Sequence, residues 1–211
     1  MKKNNFFILF LIPLMFFIGC GGTSSSSSSS NKKGIVIDDI VVGVKYLHEN
    51  GETGYTNEKG EFFYSKGNTK FYVGDMKVGE INTLPDDGYV FIQDMLGLSR
   101  DNTSDDELVK VATLLQSLDS DLNTDIIEIK RADLKKFETG SKKDIKSMSL
   151  KQIEDDLKKK KIKVRNKEEV KLHLRNSQKK YNNEVLKDKI KPSLKSSKKS
   201  TRVDFRVKCG N

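Results

Sequence analysis

The chain has 211 residues and carries 39 Lys and Arg against 30 Asp and Glu, which gives a net charge of +9 at pH 7. It contains two Cys, two His and no Trp. Two cysteines can form at most one disulfide, so a disulfide framework is excluded.

The N-terminal segment has the layout of an export signal. Lys2 and Lys3 precede an uncharged apolar run of 13 residues over 6–18, and a small residue then leads into Cys20. A permanent membrane-spanning helix needs roughly 20 apolar residues, so this run is too short to serve as one. The pattern resembles a bacterial lipoprotein signal peptide over 1–19, in which Cys20 becomes the first mature residue and carries acyl chains. An ordinary secretory signal and an uncleaved anchor are the alternatives.

Residues 20–33 predict a flexible tether, because the run of seven serines over 24–30 cannot bury apolar surface. In lipoproteins of double-membraned bacteria, an aspartate after the lipidated cysteine commonly retains the protein at the inner membrane. Gly21 stands there instead, which favours the outer membrane, at its periplasmic or surface face. Lipidation occupies the sulfur of Cys20, so Cys209 is expected to be unpaired.

Charge is divided unevenly along the chain. Residues 31–130 hold 10 basic and 19 acidic residues, whereas 131–211 hold 27 basic and 11 acidic residues. This asymmetry predicts two different surfaces, with anionic envelope lipid or polymer as the partner of the basic half. The acidic half of a neighbouring copy is a second candidate partner. The plainest explanation of the basic charge is that the lysines lie on solvated faces of helices. Nucleic acid is disfavoured by export and by the lack of aromatic residues interleaved with the lysines.

Residues 34–84 predict a β-rich domain. Apolar and β-branched runs over 35–37, 41–46, 70–73 and 76–81 indicate short strands. In the second run, we expect Val42, Val44 and Tyr46 to share one face, because side chains alternate along a strand. Gly74 and Asp75 predict the turn between the last two strands.

The segment 54–64 predicts a β-hairpin. It reads G-Y-T-N-E-K-G-E-F-F-Y, and Asn57 and Gly60 can adopt the positive φ angles that such turns require. The segment resembles the "G-x-T-(N/D)-x-x-G-x-F" hairpin of carboxypeptidase regulatory-like and transthyretin-like β-sandwiches. That resemblance implies a small spacer or binding module without catalysis of its own.

A longer series of motifs covers roughly 34–176 of the chain. The motifs are V-G-V-K-Y over 42–46, the segment 54–64, F-Y-V-G over 71–74, V-G-E-I over 78–81, L-L-Q-S-L-D-S-D over 114–121 and K-E-E-V-K-L-H-L over 167–174. In this order they are similar to a largely uncharacterised group of exported proteobacterial lipoproteins and adhesin-like proteins. The resemblance implies a surface location and a non-catalytic role, and it names no ligand.

Residues 85–190 predict a helical region. Ser104 is a capping residue, and the acidic residues 105–107 that follow it suit the first turn of a helix. The apolar stripe of this helix is Leu108, Val111, Leu115 and Leu118. We expect this stripe to pack on the sheet, and Gln116 to cap or to form a buried hydrogen bond. The predicted fold class is therefore α+β, with a small antiparallel β-sandwich-like N-terminal region packed against C-terminal helices.

Two further helices are predicted beyond residue 130. Ser149 begins a capping box, and Asn166 can cap a helix that carries Val170, Leu174, Tyr181 and Val185 on one face. His173 lies on that helix without a nucleophile or metal set in the sequence around it, so we expect a structural hydrogen bond. The basic segment 191–211 predicts a largely disordered tail.

An Asp-rich loop follows the first long helix. Asp119, Asp121, Asn123 and Asp125 place oxygen ligands at positions 1, 3, 5 and 7, which is the spacing of a calcium loop. Thr124 replaces the usual Gly, and Lys130 replaces the bidentate Glu, so binding would be weak. The alternative is a loop that caps the end of the helix.

Two functional classes follow from the sequence. The first is a membrane-anchored, non-catalytic binding or structural module of the cell envelope. The second is an enzyme that modifies envelope polymer, which is disfavoured because the sequence has no G-x-S-x-G or H-E-x-x-H motif. The acidic pairs at 38–39 and 86–87 are expected to be solvated turn residues.

Overall fold

The computed structural model describes residues 32–121 and 124–197, and side chains as far as residue 183. The signal peptide, Cys20, Cys209 and Asn123 lie outside the described residues, as does the predicted tail from residue 198 onward.

The described residues form ten strands and five α-helices. In chain order they are β1 (Lys32–Ile37), β2 (Ile40–Val42), β3 (Lys45–His48), β4 (Thr53–Tyr55), β5 (Glu61–Tyr64), β6 (Thr69–Val73), β7 (Met76–Ile81), β8 (Tyr89–Phe91), α1 (Ile92–Leu96), α2 (Asp106–Leu118), β9 (Ile126–Glu128), α3 (Arg131–Lys135), β10 (Lys143–Asp144), α4 (Leu150–Lys159) and α5 (Lys167–Ser197). A short 3₁₀ turn at Ile145–Ser147 precedes α4.

The strands make two five-stranded sheets. The first has the order β5-β1-β2-β9, with β8 parallel to β1, and the second has the order β10-β7-β6-β3-β4. The α+β prediction is confirmed. The sheets are mixed rather than purely antiparallel, because β8, β9 and β10 come from the region predicted as helical and pair in parallel with β1, β2 and β7. Long connections allow such parallel pairs.

Aromatic side chains join the two sheets. Phe62 of the first sheet packs edge-to-face on Phe71 of the second, with ring centroids 5.2 Å apart, and lies 5.7 Å from the ring of Tyr46. Phe62 and Phe71 are fully buried. Offset and edge-to-face arrangements are the favoured geometry for aromatic pairs, so these contacts form the centre of the sandwich.

The run over 41–46, predicted as one strand, is divided between the two sheets. Gly43 has φ +87° and separates β2 from β3, and the oxygen of Ile129 leaves no room there for a Cβ. Val41 and Val44 are buried on either side of the break, whereas Val42 is only half-buried. The predicted shared face of Val42, Val44 and Tyr46 is therefore wrong, because the break resets the alternation of side chains.

The predicted hairpin over 54–64 is wrong in its pairing. β4 pairs with β3, and β5 pairs with β1 in the other sheet. Of the two positive φ angles predicted for the turn, Gly60 has one, at +67°, and Asn57 does not. The N–H of Gly60 donates to the oxygen of Asn57 at 2.8 Å, and Asn57 Oδ1 accepts from the N–H of Glu61 at 2.9 Å. The turn thus connects the two layers of the sandwich, and it does not join neighbouring strands.

The turn predicted at Gly74 and Asp75 is confirmed. It joins the antiparallel strands β6 and β7, and Gly74 has φ +58°. Glycine takes this conformation without a steric cost, which is why the tight connection falls at this residue.

Helix α2 is the central helix of the fold. Asp105, one residue after the predicted cap Ser104, caps it and accepts from the N–H of Glu107 at 2.8 Å. The predicted stripe Leu108, Val111, Leu115 and Leu118 is buried. Every residue from Leu108 to Leu118 is buried, because α1, α4 and α5 surround the helix. The helix carries polar residues into this core, and these require partners there.

The later helices begin where the sequence predicts. Ser149 and Gln152 form the capping box of α4, and the Asn166 side chain accepts from the N–H of Glu168 at 2.8 Å. Helix α5 continues through Pro192 to Ser197, so the boundary predicted at residue 190 is wrong for 191–197. Among the described residues, no helix combines the length and apolar character needed to cross a membrane.

Candidate functional site

The turn between β1 and β2 carries two buried carboxylates. Asp38 is 2% exposed and Asp39 is 8% exposed. Asp39 has φ +56°, a conformation that Asp tolerates better than most residues. The prediction that this pair is solvated is wrong, because side chains of α2 and α5 reach over the turn.

Helix α2 supplies the partner of Asp38. Gln116 Nε2 donates to Asp38 Oδ2 at 2.9 Å, and both side chains are buried. Burial raises the pKa of the Asp38 carboxyl from its ordinary value of 3.8 to about 6, while the charge of His173 and the hydrogen bond from Gln116 act in the opposite direction. The prediction that Gln116 forms a buried hydrogen bond is confirmed.

His173 on α5 faces the same turn. Its Nε2 lies 3.2 Å from the backbone oxygen of Asp38 and 3.2 Å from Asp39 Oδ2. Both of these atoms are acceptors, so Nε2 carries the proton. The ring joins α5 to the turn, which agrees with the structural hydrogen bond expected for His173.

Two more residues of α5 hold Asp39. The backbone N–H of Asp39 donates to Ser177 Oγ at 2.6 Å, and Lys180 Nζ lies 3.8 Å from the Asp39 carboxylate. Lys180 also pairs with Asp125 at 3.0 Å. Burial raises the pKa of Asp39, against the opposing charges of His173 and Lys180. The turn is therefore held by one face of α5, through residues on three successive helical turns.

A cavity of about 250 Å³ adjoins this cluster at the end of α2. It is lined by Gln116, Ser117, Asp119, Ser120, Lys163, Val164, Arg165 and Glu169. Burial raises the pKa of Asp119, whose carboxylate accepts from the N–H groups of Asp121 and Glu128. Asp38 and Asp39 do not line this cavity, so the solvent-facing carboxylate of raised pKa in it is that of Asp119.

Two of the predicted calcium ligands, Asp119 and Asp125, bind other groups of the protein. Asp119 Oδ1 accepts from two backbone N–H groups at 3.2 and 3.3 Å, and Asp125 pairs with Lys180 on α5. The described residues contain no group of three or more His, Cys, Asp or Glu side chains placed to hold a metal ion. Asn123 lies outside the described residues. The calcium hypothesis stays a prediction.

The second acidic pair, at 86–87, is also not simply solvated. Arg100 Nη1 donates to Asp87 Oδ2 at 2.6 Å, and Arg100 Nη2 donates to Asp94 Oδ2 at 2.8 Å. The guanidinium lies over the ring of Phe91, 4.5 Å from its centroid. Asp87 is therefore part of a structural clamp, whereas Asp86 is exposed.

Sequence reasoning missed Asp38 and Asp39 as members of a buried cluster. A signal was present, because the pair follows directly after the apolar run 35–37 and precedes Ile40, so the turn continues a strand of the core. The partners of the pair lie on distant helices, and no local pattern identifies them. The cluster as built can hold helices to a turn, and the neighbouring cavity can hold a small polar molecule.

Comparison with known proteins identifies no relative of this chain. No protein-family model, no curated protein and no solved structure matches the chain.

Proposed function

We propose that this protein is a lipid-anchored, non-catalytic binding or structural module of the bacterial cell envelope. The observation that carries the proposal is the order of two lysines, an apolar run of 13 residues and Cys20 at the N-terminus. Strand β1 begins at Lys32, two residues after the end of the serine run 24–30, so the tether predicted over 20–33 overlaps this strand by two residues. The resemblance of 34–176 to exported proteobacterial lipoproteins and adhesin-like proteins supports the same role.

The buried cluster supports a non-catalytic role. The side chain of Asp38 has no exposed surface, and its carboxylate accepts from Gln116 while His173 binds the adjoining backbone. A catalytic carboxylate has to reach its substrate or a water molecule. Asp38 and His173 thus act as links between helices and sheet.

The basic helices support a partner with negative charge. Exposed lysines cluster around the end of α4 and the start of α5, namely Lys158, Lys159, Lys161, Lys163 and Lys167. Lysine clusters attract anionic lipid headgroups or polymers, and the attraction weakens as salt screens it. We therefore expect binding to anionic vesicles that falls with ionic strength and is lost when these lysines are replaced by glutamine.

The anchor is tested by fractionating cells that express the full chain. Wild-type protein should sediment with membranes and incorporate labelled palmitate. Cys20→Ala should remove the label and either release the protein or leave it unprocessed. Cys209→Ala is the matched control and should behave as wild type. Unchanged labelling of the Cys20→Ala protein would refute the anchor.

An envelope-polymer-modifying enzyme is the second candidate, because one carboxylate of raised pKa, that of Asp119, lines a cavity. A carboxyl group that reaches a cavity can act as a general acid or base. The test is incubation of the purified chain with cell-wall polymer. Release of soluble fragments that is abolished in Asp119→Asn would favour the enzyme, and absence of release would favour the binding module.

A further inference from the structure

The cavity at the end of α2 is formed by three separate parts of the chain. Gln116 and Asp119 come from the end of α2 and the residue after it, Lys163 and Arg165 from the segment between α4 and α5, and Glu169 from the first turn of α5. This small cavity of about 250 Å³ suits a ligand below the size of a typical drug molecule.

A backbone contact fixes the connecting segment against α2. The N–H of Arg165 donates to Ser117 Oγ at 3.0 Å, and Ser117 is buried. The segment that carries Lys163 and Arg165 is thus held at the end of the helix. A preformed wall lowers the entropic cost of binding.

The lining carries both signs of charge. Lys163 and Arg165 supply cations, and Asp119 and Glu169 supply carboxylates. A purely anionic ligand would face the two carboxylates, and a purely cationic one would face the two basic residues. Sugar-binding sites commonly offer an aromatic ring for stacking, and this lining contains none.

Two lining side chains hold buried polar atoms without a hydrogen-bond partner among the described residues. They are Gln116 Oε1, which is an acceptor, and Arg165 Nε, which is a donor. An unpaired buried polar atom destabilises the fold, so a ligand that pairs both atoms is stabilised by two added hydrogen bonds. The atoms are of opposite kinds, and so the matching ligand carries a donor and an acceptor.

We propose that this cavity binds a small zwitterion of the size of an amino acid. Its carboxylate accepts from the Arg165 guanidinium, and its ammonium group donates to Gln116 Oε1 and faces Asp119 and Glu169. Both side chains line the cavity, and Gln116 keeps its Nε2 bond to Asp38 while its unpaired Oε1 serves as the acceptor for the ligand. The inference names a ligand class for the proposed binding role and does not depend on the membrane anchor.

The test is calorimetric titration of the full chain, purified in detergent, with an equimolar pool of free amino acids and then with its members singly. Acetate and methylamine are separate controls, because each supplies one half of the zwitterion. We expect at least one amino acid to bind and both controls to give no signal.

Variants locate the binding in this cavity. Arg165→Gln and Glu169→Gln should each raise the dissociation constant about tenfold or more, since each removes a charged partner of the ligand. Arg175→Gln and Glu168→Gln are matched controls on exposed positions outside the lining and should leave it unchanged. No signal with any amino acid, or equal binding of acetate, would overturn the proposal. The titration does not depend on the result of the Cys20→Ala test. Failure of the lipid-anchor proposal and failure of the ligand proposal are therefore distinguishable.

Discussion

The side-chain amide of Gln116 donates to the carboxylate of Asp38 across 2.9 Å, although 78 residues separate the two in sequence. This bond ties the central helix α2 to the turn between β1 and β2. Asp38 Oδ1, which lies 3.9 Å from His173 Nε2, and Gln116 Oε1 are both acceptors without a hydrogen-bond partner among the described residues. The pair therefore holds more acceptors than donors, and a proton on Asp38 would improve the balance.

The first prediction concerns how stability depends on pH. The pKa of Asp38 is raised from 3.8 to about 6 in the folded protein, chiefly by burial. Between these values the folded protein binds a proton that the unfolded chain does not bind. The free energy of unfolding should therefore fall as the pH rises through this range, and the contribution should level off above it. Asp39 acts in the same direction, because its pKa is also raised.

Asp38→Asn tests this dependence, because asparagine resembles the protonated carboxyl and does not titrate. We expect a flatter profile of unfolding free energy between pH 4 and 7, and a gain of up to a few kcal/mol above pH 7. Urea denaturation across this range measures both. Asp86→Asn is the control at an exposed position and should keep the wild-type slope. An equal slope in Asp38→Asn and wild type would contradict the role of Asp38.

Gln116→Met should destabilise the fold. It removes the side-chain donor to Asp38 and leaves a buried carboxylate without that bond, at a cost of about 1–3 kcal/mol at pH 7. In the double variant with Asp38→Asn the cost should be smaller, because the charge to be compensated is gone. Chemical denaturation of the two single variants and the double variant measures the coupling. Strictly additive effects would show that the two residues do not act as a pair.

Arg100→Ala should be among the more damaging substitutions outside the apolar core. Asp87 and Asp94 would lose a shared cation, and Phe91 would lose the group packed over its ring. Removing one member of a partly buried charge network costs roughly 3 kcal/mol. Arg175→Ala, at an exposed position on α5, should remain close to wild type in thermal melting. A melting temperature for Arg100→Ala equal to that of this control would show that the clamp contributes little.

The calcium hypothesis predicts that calcium raises the melting temperature and that a chelator reverses the effect. Binding would require Asp125 to leave Lys180, so the affinity should be low. Asp121→Ala should abolish the shift, whereas Asp86→Ala should preserve it. A melting temperature that does not respond to calcium or chelator would remove the ion from consideration.

Local patterns in the sequence predicted the elements whose signals are local. The stripe of α2, the capping box at Ser149 and the turn at Gly74 are each defined by a few neighbouring residues, and each occurs as predicted. The α+β class followed from these patterns, because short β-branched runs precede long amphipathic ones.

Features that depend on distant residues were missed. The break at Gly43 is imposed by the approach of Ile129, and the turn after Asn57 crosses between sheets because β5 pairs with β1. Asp38 and Asp39 are buried by residues of α2 and α5 that lie 78 to 138 positions away. No periodicity or spacing encodes such contacts, since they arise only when the layers have packed.

The membrane anchor is tested most directly by the mass of the N-terminal peptide of protein extracted from membranes. We expect this peptide to begin at Cys20 and to carry the added mass of acyl chains. Protein extracted from cells that express Cys209→Ala should give the same peptide. An N-terminus at Met1, cleavage at another residue, or an unmodified Cys20 in the membrane-bound protein would contradict the proposed lipid anchor.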